Sequence, residues 1–221
     1  MTHVDRLPIP QILADKQEDW QSKYEQKLIL NPKARPDSSK YGHKDIRDRL
    51  NSCSFNKCFY CESKLTGALR EVDHYVEVSI DRGLAYKWNN LYLSCSNCND
   101  KLDHNTIPVT EALNPCVDSD EEIQRCLTFD NECISFLPNS TKGRKTIQKF
   151  RLDSDLLDLK RGKRLNKLAT SAIEIYNKMK KECRTVPTEE EKNAIRRFMQ
   201  KDQPYSLMCK IYIIKHLSWA L

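Results

Sequence analysis

Apolar residues recur at helical intervals near the start of the chain and again over its second half. Across residues 12–30 they stand among charged residues at the spacing of a helix, which Asn31-Pro32 ends. A shorter helix is predicted for residues 43–51. From Lys145 onward the pattern predicts helix with one apolar stripe, formed by Ile147, Phe150, Leu152, Leu156, Leu157, Leu159, Leu165, Leu168, Ile173, Ile175 and Met179. Pro187 breaks this stretch, and Thr188 followed by three glutamates predicts the start of another helix.

The middle of the chain follows a different pattern. Residues 70–79 alternate apolar and polar side chains as a strand does, and residues 91–93 suggest a second strand. Residues 97–102 suit a short helix, and a hairpin is predicted at 126–129 and 133–136. We therefore predict an α+β fold in which a small ββα module is embedded in a mostly α-helical chain. The predicted parts are an N-terminal helical segment (1–52), the module (53–106) and a mainly helical C-terminal region (107–221).

Composition narrows the class of protein only slightly. Of 221 residues, 39% are apolar and 31% are charged, which is typical of a soluble protein rich in exposed helix. The net charge of +6 is compatible with nucleic acid, but many unrelated proteins share it. The first twenty residues lack the apolar run of a signal peptide, and no stretch approaches the length of a membrane span. We therefore expect a cytoplasmic protein without a membrane partner.

The cysteines carry more information than the charge. Thiols stay reduced in the cytosol, so paired cysteines there indicate a metal site. Two Cys-x-x-Cys pairs, Cys58 with Cys61 and Cys95 with Cys98, could hold a tetrahedral Zn²⁺ without any other ligand. The alternative is coincidence in a chain with ten cysteines. The other six share no spacing and are predicted to be small buried apolar residues: Cys53, Cys116, Cys126, Cys133, Cys183 and Cys209.

Between and beside the two pairs stand residues suited to hydrolysis. Asp73 offers the hard oxygen ligand that Mg²⁺ or Mn²⁺ prefers, and the neighbouring His74 offers an imidazole that can deprotonate water near neutral pH. Adjacent side chains of a strand point to opposite faces, so both can serve one site only if the strand bends at its end. An ordinary surface Asp-His dipeptide is the alternative. Asn90 and Asn99 complete the set of polar candidates.

Together, Asp73-His74, Asn90, the second cysteine pair and Asn99 resemble the zinc-stapled HNH endonucleases, the ββα-metal fold. The resemblance covers roughly residues 58–101. It implies that Asp73 and Asn99 hold a catalytic divalent ion, that His74 activates water and that Asn90 braces the loop orienting His74. The neighbouring Asn89 is an alternative brace, and His104 is an alternative ligand to Asn99.

The flanking residues extend the resemblance to one subgroup of HNH proteins. These residues are Cys-x-Tyr-Cys-Glu at 58–62, Trp-Asn-Asn-Leu at 88–91, Leu-Asn-Pro at 113–115 and the helical sequence from Thr146 to Arg161. They resemble the nuclease component of the Septu anti-phage system, also found beside some retrons. That resemblance implies a partner, an ABC/SMC-like ATPase of the PtuA type. Relatives often carry Pro-Lys shortly after the histidine, whereas this chain has Glu77-Val78; the difference affects an expected basic contact to phosphate but no catalytic group.

Basic residues are candidates for contacts to nucleic acid. Lys101 lies next to the predicted site, and a basic run follows later in the chain: Lys160, Arg161, Lys163 and Arg164. The alternative for the run is a solvated helix face. We predict a metal-dependent endonuclease that cleaves DNA in antiviral defence. RNA as the substrate, and a non-catalytic zinc module that binds nucleic acid or recruits a partner, are the alternatives.

Overall fold

Nine α-helices and four short strands make up the part of the chain that the structure, a computed structural model, describes, namely residues 1–67 and 70–221. The helices α1 to α9 are Gln11–Leu30, Ser38–Tyr41, Lys44–Ser54, Ser96–Asn99, Asp120–Gln124, Thr141–Lys149, Asp155–Lys181, Glu189–Arg196 and Ser206–His216. The strands β1 to β4 are Glu71–His74, Leu91–Ser94, Leu127–Asp130 and Cys133–Phe136. Helices with small sheets confirm the predicted α+β class.

Strands β1 and β2 form an antiparallel pair, and helix α4 follows β2 directly. In this pair Glu71 lies opposite Ser94, and His74 lies opposite Leu91. The pattern predicted a strand as far as residue 79, but β1 ends at His74. The reason is that the backbone of Val76 is hydrogen-bonded to the side chain of Asn90 and not to a neighbouring strand. Oδ1 of Asn90 accepts from Val76 N at 2.8 Å, and its Nδ2 donates to Val76 O at 3.0 Å. The chain therefore bends at Tyr75 and Val76, directly after the Asp-His dipeptide.

The long apolar stripe of the C-terminal half is divided between two helices. Helix α6 ends at Lys149, and α7 begins only at Asp155, so the helical phase restarts between them. The buried face of α7 then consists of Leu157, Arg161, Leu165, Leu168 and Ala172. Placing Leu156 and Leu159 in the apolar stripe was wrong, because both lie on the exposed side of α7.

One hydrophobic core joins residues from the start, middle and end of the chain. Its members include Leu13 of α1, Leu93 of β2, Phe150 directly after α6, and Ile213 of α9. Arg6 also links the chain's start to the ββα module, because its guanidinium donates to the carbonyl oxygens of Trp88 and Leu91, each at 3.0 Å. The division at residues 52 and 106 stays a prediction about folding units, since all three parts contribute to this core.

The C-terminal helices follow the sequence signals closely. Thr188 caps α8, and its hydroxyl and the side chain of Glu191 form a capping box. The six unpaired cysteines are less uniform than predicted: Cys53 and Cys209 are buried, whereas Cys133 and Cys183 are exposed. The prediction of burial was therefore wrong for those two, which lie at a strand edge and in a loop. No helix in the described ranges is both long enough and apolar enough to span a membrane.

Candidate functional site

The four cysteines of the two pairs come together as one buried cluster. Their sulfur atoms all lie within 4.8 Å of one another, and the Sγ atoms of Cys61 and Cys95 are 3.7 Å apart. With a Zn–S bond of about 2.3 Å, sulfurs of a tetrahedral site lie about 3.8 Å apart. The donor set and its spacing therefore fit Zn²⁺. The backbone holds the two pairs together, because Phe59 N between the first two cysteines donates to Leu93 O of β2 at 2.9 Å.

His74 occupies the opposite end of the β1–β2 ladder. Its Nε2 lies 2.8 Å from the carbonyl oxygen of Ala85. A carbonyl oxygen only accepts hydrogen bonds, so Nε2 carries the proton and Nδ1 keeps a lone pair. The ring of Tyr41 packs edge-on against the imidazole, with 4.6 Å between ring centroids. Burial lowers the pKa of His74, which favours the neutral form that a general base requires.

Asn90 holds the loop that follows His74. Besides its two bonds to Val76, its Nδ2 donates to Leu84 O at 3.2 Å, next to the carbonyl of Ala85 that orients His74. The side chain of Asn90 is buried, whereas Asn89 is exposed. These contacts are the ones expected of a loop brace, and they favour Asn90 over Asn89.

Asp73 is buried and already has two partners. Tyr60 donates its hydroxyl to Oδ2 at 2.7 Å, and the ammonium of Lys101 lies 2.9 Å from Oδ1 and 2.8 Å from Oδ2. The same ammonium donates to the carbonyl oxygens of His74 and Tyr75. Lys101 is therefore held by four oxygens at the end of β1, where sequence reasoning expected a phosphate contact. Tyr60 was not predicted as a site residue, although its place between Cys58 and Cys61 is visible in the sequence.

Asn99 and His104 differ as ligand candidates. Asn99 lines the same groove as Asp73 and His74, and its Nδ2 donates to Glu71 Oε2 at 2.5 Å. This bond leaves the amide oxygen available. His104 instead lies next to Glu77, with 3.8 Å between Nδ1 of His104 and Oε2 of Glu77. Oxygen atoms of Asp73 and Asn99 are suitable ligands for Mg²⁺ or Mn²⁺. A carboxylate has about four lone-pair sites, so Asp73 can accept a further bond beside its contact with Lys101.

An open groove of about 870 Å³ gives access to these residues. It is lined by the site residues of the ββα module and by residues from the N-terminal part, including Lys33, Arg35 and Tyr41. Its acidic residue Glu77 is paired with Lys149, which is fully buried and comes from α6. The groove is therefore lined by the N-terminal part and the ββα module, and the C-terminal part contributes only Lys149 behind it, as the partner of Glu77.

The basic run on α7 is only partly a surface feature. Arg161 is 1% exposed, and its Nη1 donates to Leu152 O and Asp158 Oδ1. The prediction that Arg161 contacts nucleic acid was therefore wrong, since its guanidinium is buried and bonded within the protein. Arg164 stacks on Phe198 at 4.2 Å and donates to Gln203. Lys160 and Lys163 remain exposed.

Comparison with known proteins finds a match over the same stretch of the chain. Residues 58–105 match the family model described as HNH endonuclease, so the chain carries an HNH endonuclease domain that includes both cysteine pairs, Asp73, His74, Asn90 and Asn99. The chain is 26% identical to the Septu protein PtuB of Bacillus mycoides (strain KBAB4) over 169 residues, which cover 62% of this chain and 56% of that protein. It is 27% identical to the Septu protein PtuB of Bacillus thuringiensis over 155 residues, covering 69% and 55%. The chain thus spans about half the length of the curated relatives that it matches.

Proposed function

We propose that this protein is the nuclease of an anti-phage defence system and that it hydrolyses phosphodiester bonds in DNA under the control of an ATPase partner of the PtuA type. The observation that carries the proposal is the orientation of the His74 ring and its position in the groove. Its Nε2 is committed to Ala85 O, and its ring lines an open groove together with Asp73 and Asn99. The match to the HNH model supports the chemistry, and the relatives named Septu protein PtuB support the biological role.

His74 acts as the general base in this proposal. Nδ1 accepts a proton from the attacking water, and the Nε2–H bond to Ala85 keeps the ring oriented before and after the transfer. The carboxylate of the neighbouring Asp73 favours the protonated imidazole electrostatically, while burial favours the neutral ring at rest. The edge-on contact with Tyr41 restricts the imidazole further.

Asp73 and Asn99 would hold the divalent ion, Mg²⁺ or Mn²⁺. When bound, such an ion supplies Lewis-acid stabilisation of the charge that develops on the phosphate and the leaving oxygen. Tyr60 fixes the Asp73 carboxylate from the buried side, at 2.7 Å. Lys101 neutralises Asp73 and leaves little negative charge to repel an approaching phosphate.

Plasmid cleavage tests this proposal. The zinc-loaded protein is incubated with supercoiled DNA and Mg²⁺ or Mn²⁺, first alone and then together with the proposed ATPase partner. Loss of a general base typically slows a reaction by about 10² to 10⁴-fold, so we expect His74→Ala to be inactive at matched zinc content. His216→Ala, a change at an exposed histidine in α9, is the matched control and should cleave like wild type. Unchanged cleavage by His74→Ala would exclude the mechanism. Cleavage of structured RNA but not of DNA would correct the substrate.

A further inference from the structure

One wall of the groove is formed by residues 31–41, which lie between α1 and the end of α2; we call this segment the N-terminal wall. Lys33, Arg35 and Tyr41 of this wall line the same groove as Asp73 and His74. Tyr41 contacts the imidazole directly, at 4.6 Å between ring centroids. The wall lies outside the HNH match at residues 58–105, so a role for it goes beyond what that match implies.

The wall is held in place through its backbone. Arg82 donates to Pro32 O at 2.8 Å, Tyr24 donates to Ala34 O at 3.3 Å, and Asp37 N donates to the hydroxyl of Tyr86 at 2.9 Å. Tyr86 is itself buried and packs against Trp20 and Tyr24 of α1. Pro32 and Pro36 also restrict the backbone of this segment. The wall is therefore a fixed part of the groove, and its side chains need little ordering when a ligand binds.

The two basic side chains of the wall that line the groove are available to a ligand. Lys33 and Arg35 are exposed, and across residues 1–67 and 70–221 neither forms an ion pair. Two of the three acids that line the groove have basic partners, since Asp73 pairs with Lys101 and Glu77 pairs with Lys149. The third, Asp103, is exposed and forms no ion pair in the described ranges. The wall thus presents two cations without an ion-pair partner to a groove that holds one such acid. This contrasts with the basic run on α7, where Arg161 is buried.

We propose that the N-terminal wall binds the sugar-phosphate backbone beside the scissile phosphate, with Lys33 and Arg35 contacting phosphates. This inference rests on the proposed function, because it assigns the substrate-binding surface of the same groove. Phosphate contacts by Lys and Arg provide most of the sequence-independent affinity of proteins for nucleic acid. A rigid wall with two such cations would position the backbone against His74 without reading its sequence.

Binding of a 20-base-pair DNA duplex, followed by fluorescence anisotropy with zinc-loaded protein and no added divalent ion, tests the wall. Lys33→Gln/Arg35→Gln should weaken binding about tenfold near 100 mM salt and reduce the slope of log K against log salt by about two, because each lost phosphate contact removes about 0.9. Lys180→Gln/Lys181→Gln removes the same charge from the exposed last turn of α7, outside the predicted basic run, and should change the affinity by less than about twofold. Lys33→Arg/Arg35→Lys keeps both charges and should bind like wild type. Zinc content and circular dichroism establish that each variant is folded.

Equal binding by the wild type and the Lys33→Gln/Arg35→Gln variant would overturn the inference, as would an equal loss in the α7 variant. Parallel plasmid cleavage by His74→Ala separates this result from the proposed function. If His74→Ala abolishes cleavage while the wall variant binds normally, the nuclease stands and the wall does not. If binding depends on the wall but no His74-dependent cleavage occurs, the wall stands as a binding surface and the nuclease is excluded. Duplex RNA of the same sequence shows whether the wall also accepts an RNA backbone.

Discussion

The two ends of the β1–β2 ladder are built in opposite ways. At one end β2 leads directly into Cys95, and the four clustered cysteines are buried in the interior. At the other end β1 stops at His74, and a groove opens between the ββα module and the N-terminal wall. The closed end is made from two short local motifs, whereas the groove at the open end also needs residues 24–41 of the N-terminal part. A buried cysteine cluster and an open groove are thus separated by one pair of four-residue strands.

The largest effect should follow from removing a zinc ligand at the closed end. Zinc binding by a structural cysteine site contributes on the order of 10 kcal/mol, comparable to the whole stability of a typical domain. We therefore expect Cys95→Ser to lose bound zinc and to unfold the module, measured by metal analysis and thermal unfolding. Cys183→Ser, at an exposed cysteine, is the control and should retain both. A Cys95→Ser protein with wild-type stability would show that the closed end does not depend on the metal.

This contrast also explains how far the sequence could predict the site. The cysteine pairs could be recognised from local spacing alone, whereas Asp73, His74 and Asn90 were predicted from the resemblance to HNH endonucleases, and their roles stay predictions. The wall was not predicted, because Lys33 and Arg35 reach the groove only through tertiary contacts such as Arg82 with Pro32. Burial of Arg161 was equally hidden, since the break between α6 and α7 sets which face of α7 turns inward.

The next largest effect concerns the buried pair that joins α6 to the open end. Lys149 is fully buried, and its ammonium bonds to Glu77 Oε1 and to Leu102 O. Lys149→Met leaves the Glu77 carboxylate without its cation, and breaking a buried pair typically costs about 3 kcal/mol or more. We expect denaturant unfolding to show a loss of about 3 kcal/mol, and the double variant Lys149→Met/Glu77→Gln to recover much of it. A double variant no more stable than Lys149→Met would mean that the pair itself is not what matters.

A smaller effect is expected where Lys101 meets Asp73. The ammonium lies within 2.9 Å of both carboxylate oxygens, so it repels any further cation that binds there. Lys101→Met should therefore bind Mn²⁺ about tenfold more tightly, a difference of about 1.4 kcal/mol, measured by calorimetry on zinc-loaded protein. Lys163→Met, on the exposed face of α7, is the control. Weaker Mn²⁺ binding by Lys101→Met would mean that Lys101 orders the carboxylate for the ion instead of competing with it.

The smallest effect should come from Tyr60, the residue that connects the two ends. It lies between the first two cysteines, is fully buried and stacks on Phe150 at 4.1 Å, while its hydroxyl reaches Asp73 at 2.7 Å. Burial and the nearby Asp73 raise its pKa, so the hydroxyl stays protonated and donates. Tyr60→Phe removes one hydrogen bond worth about 1 kcal/mol, which should lower kcat about fivefold with KM for DNA little changed. Tyr75→Phe is the matched control, because it deletes a hydroxyl bonded at 3.2 Å to Val109 O within the same aromatic cluster. If both variants lose the same activity, Tyr60 supports only the packing, and the closed end does not position Asp73 for the open one.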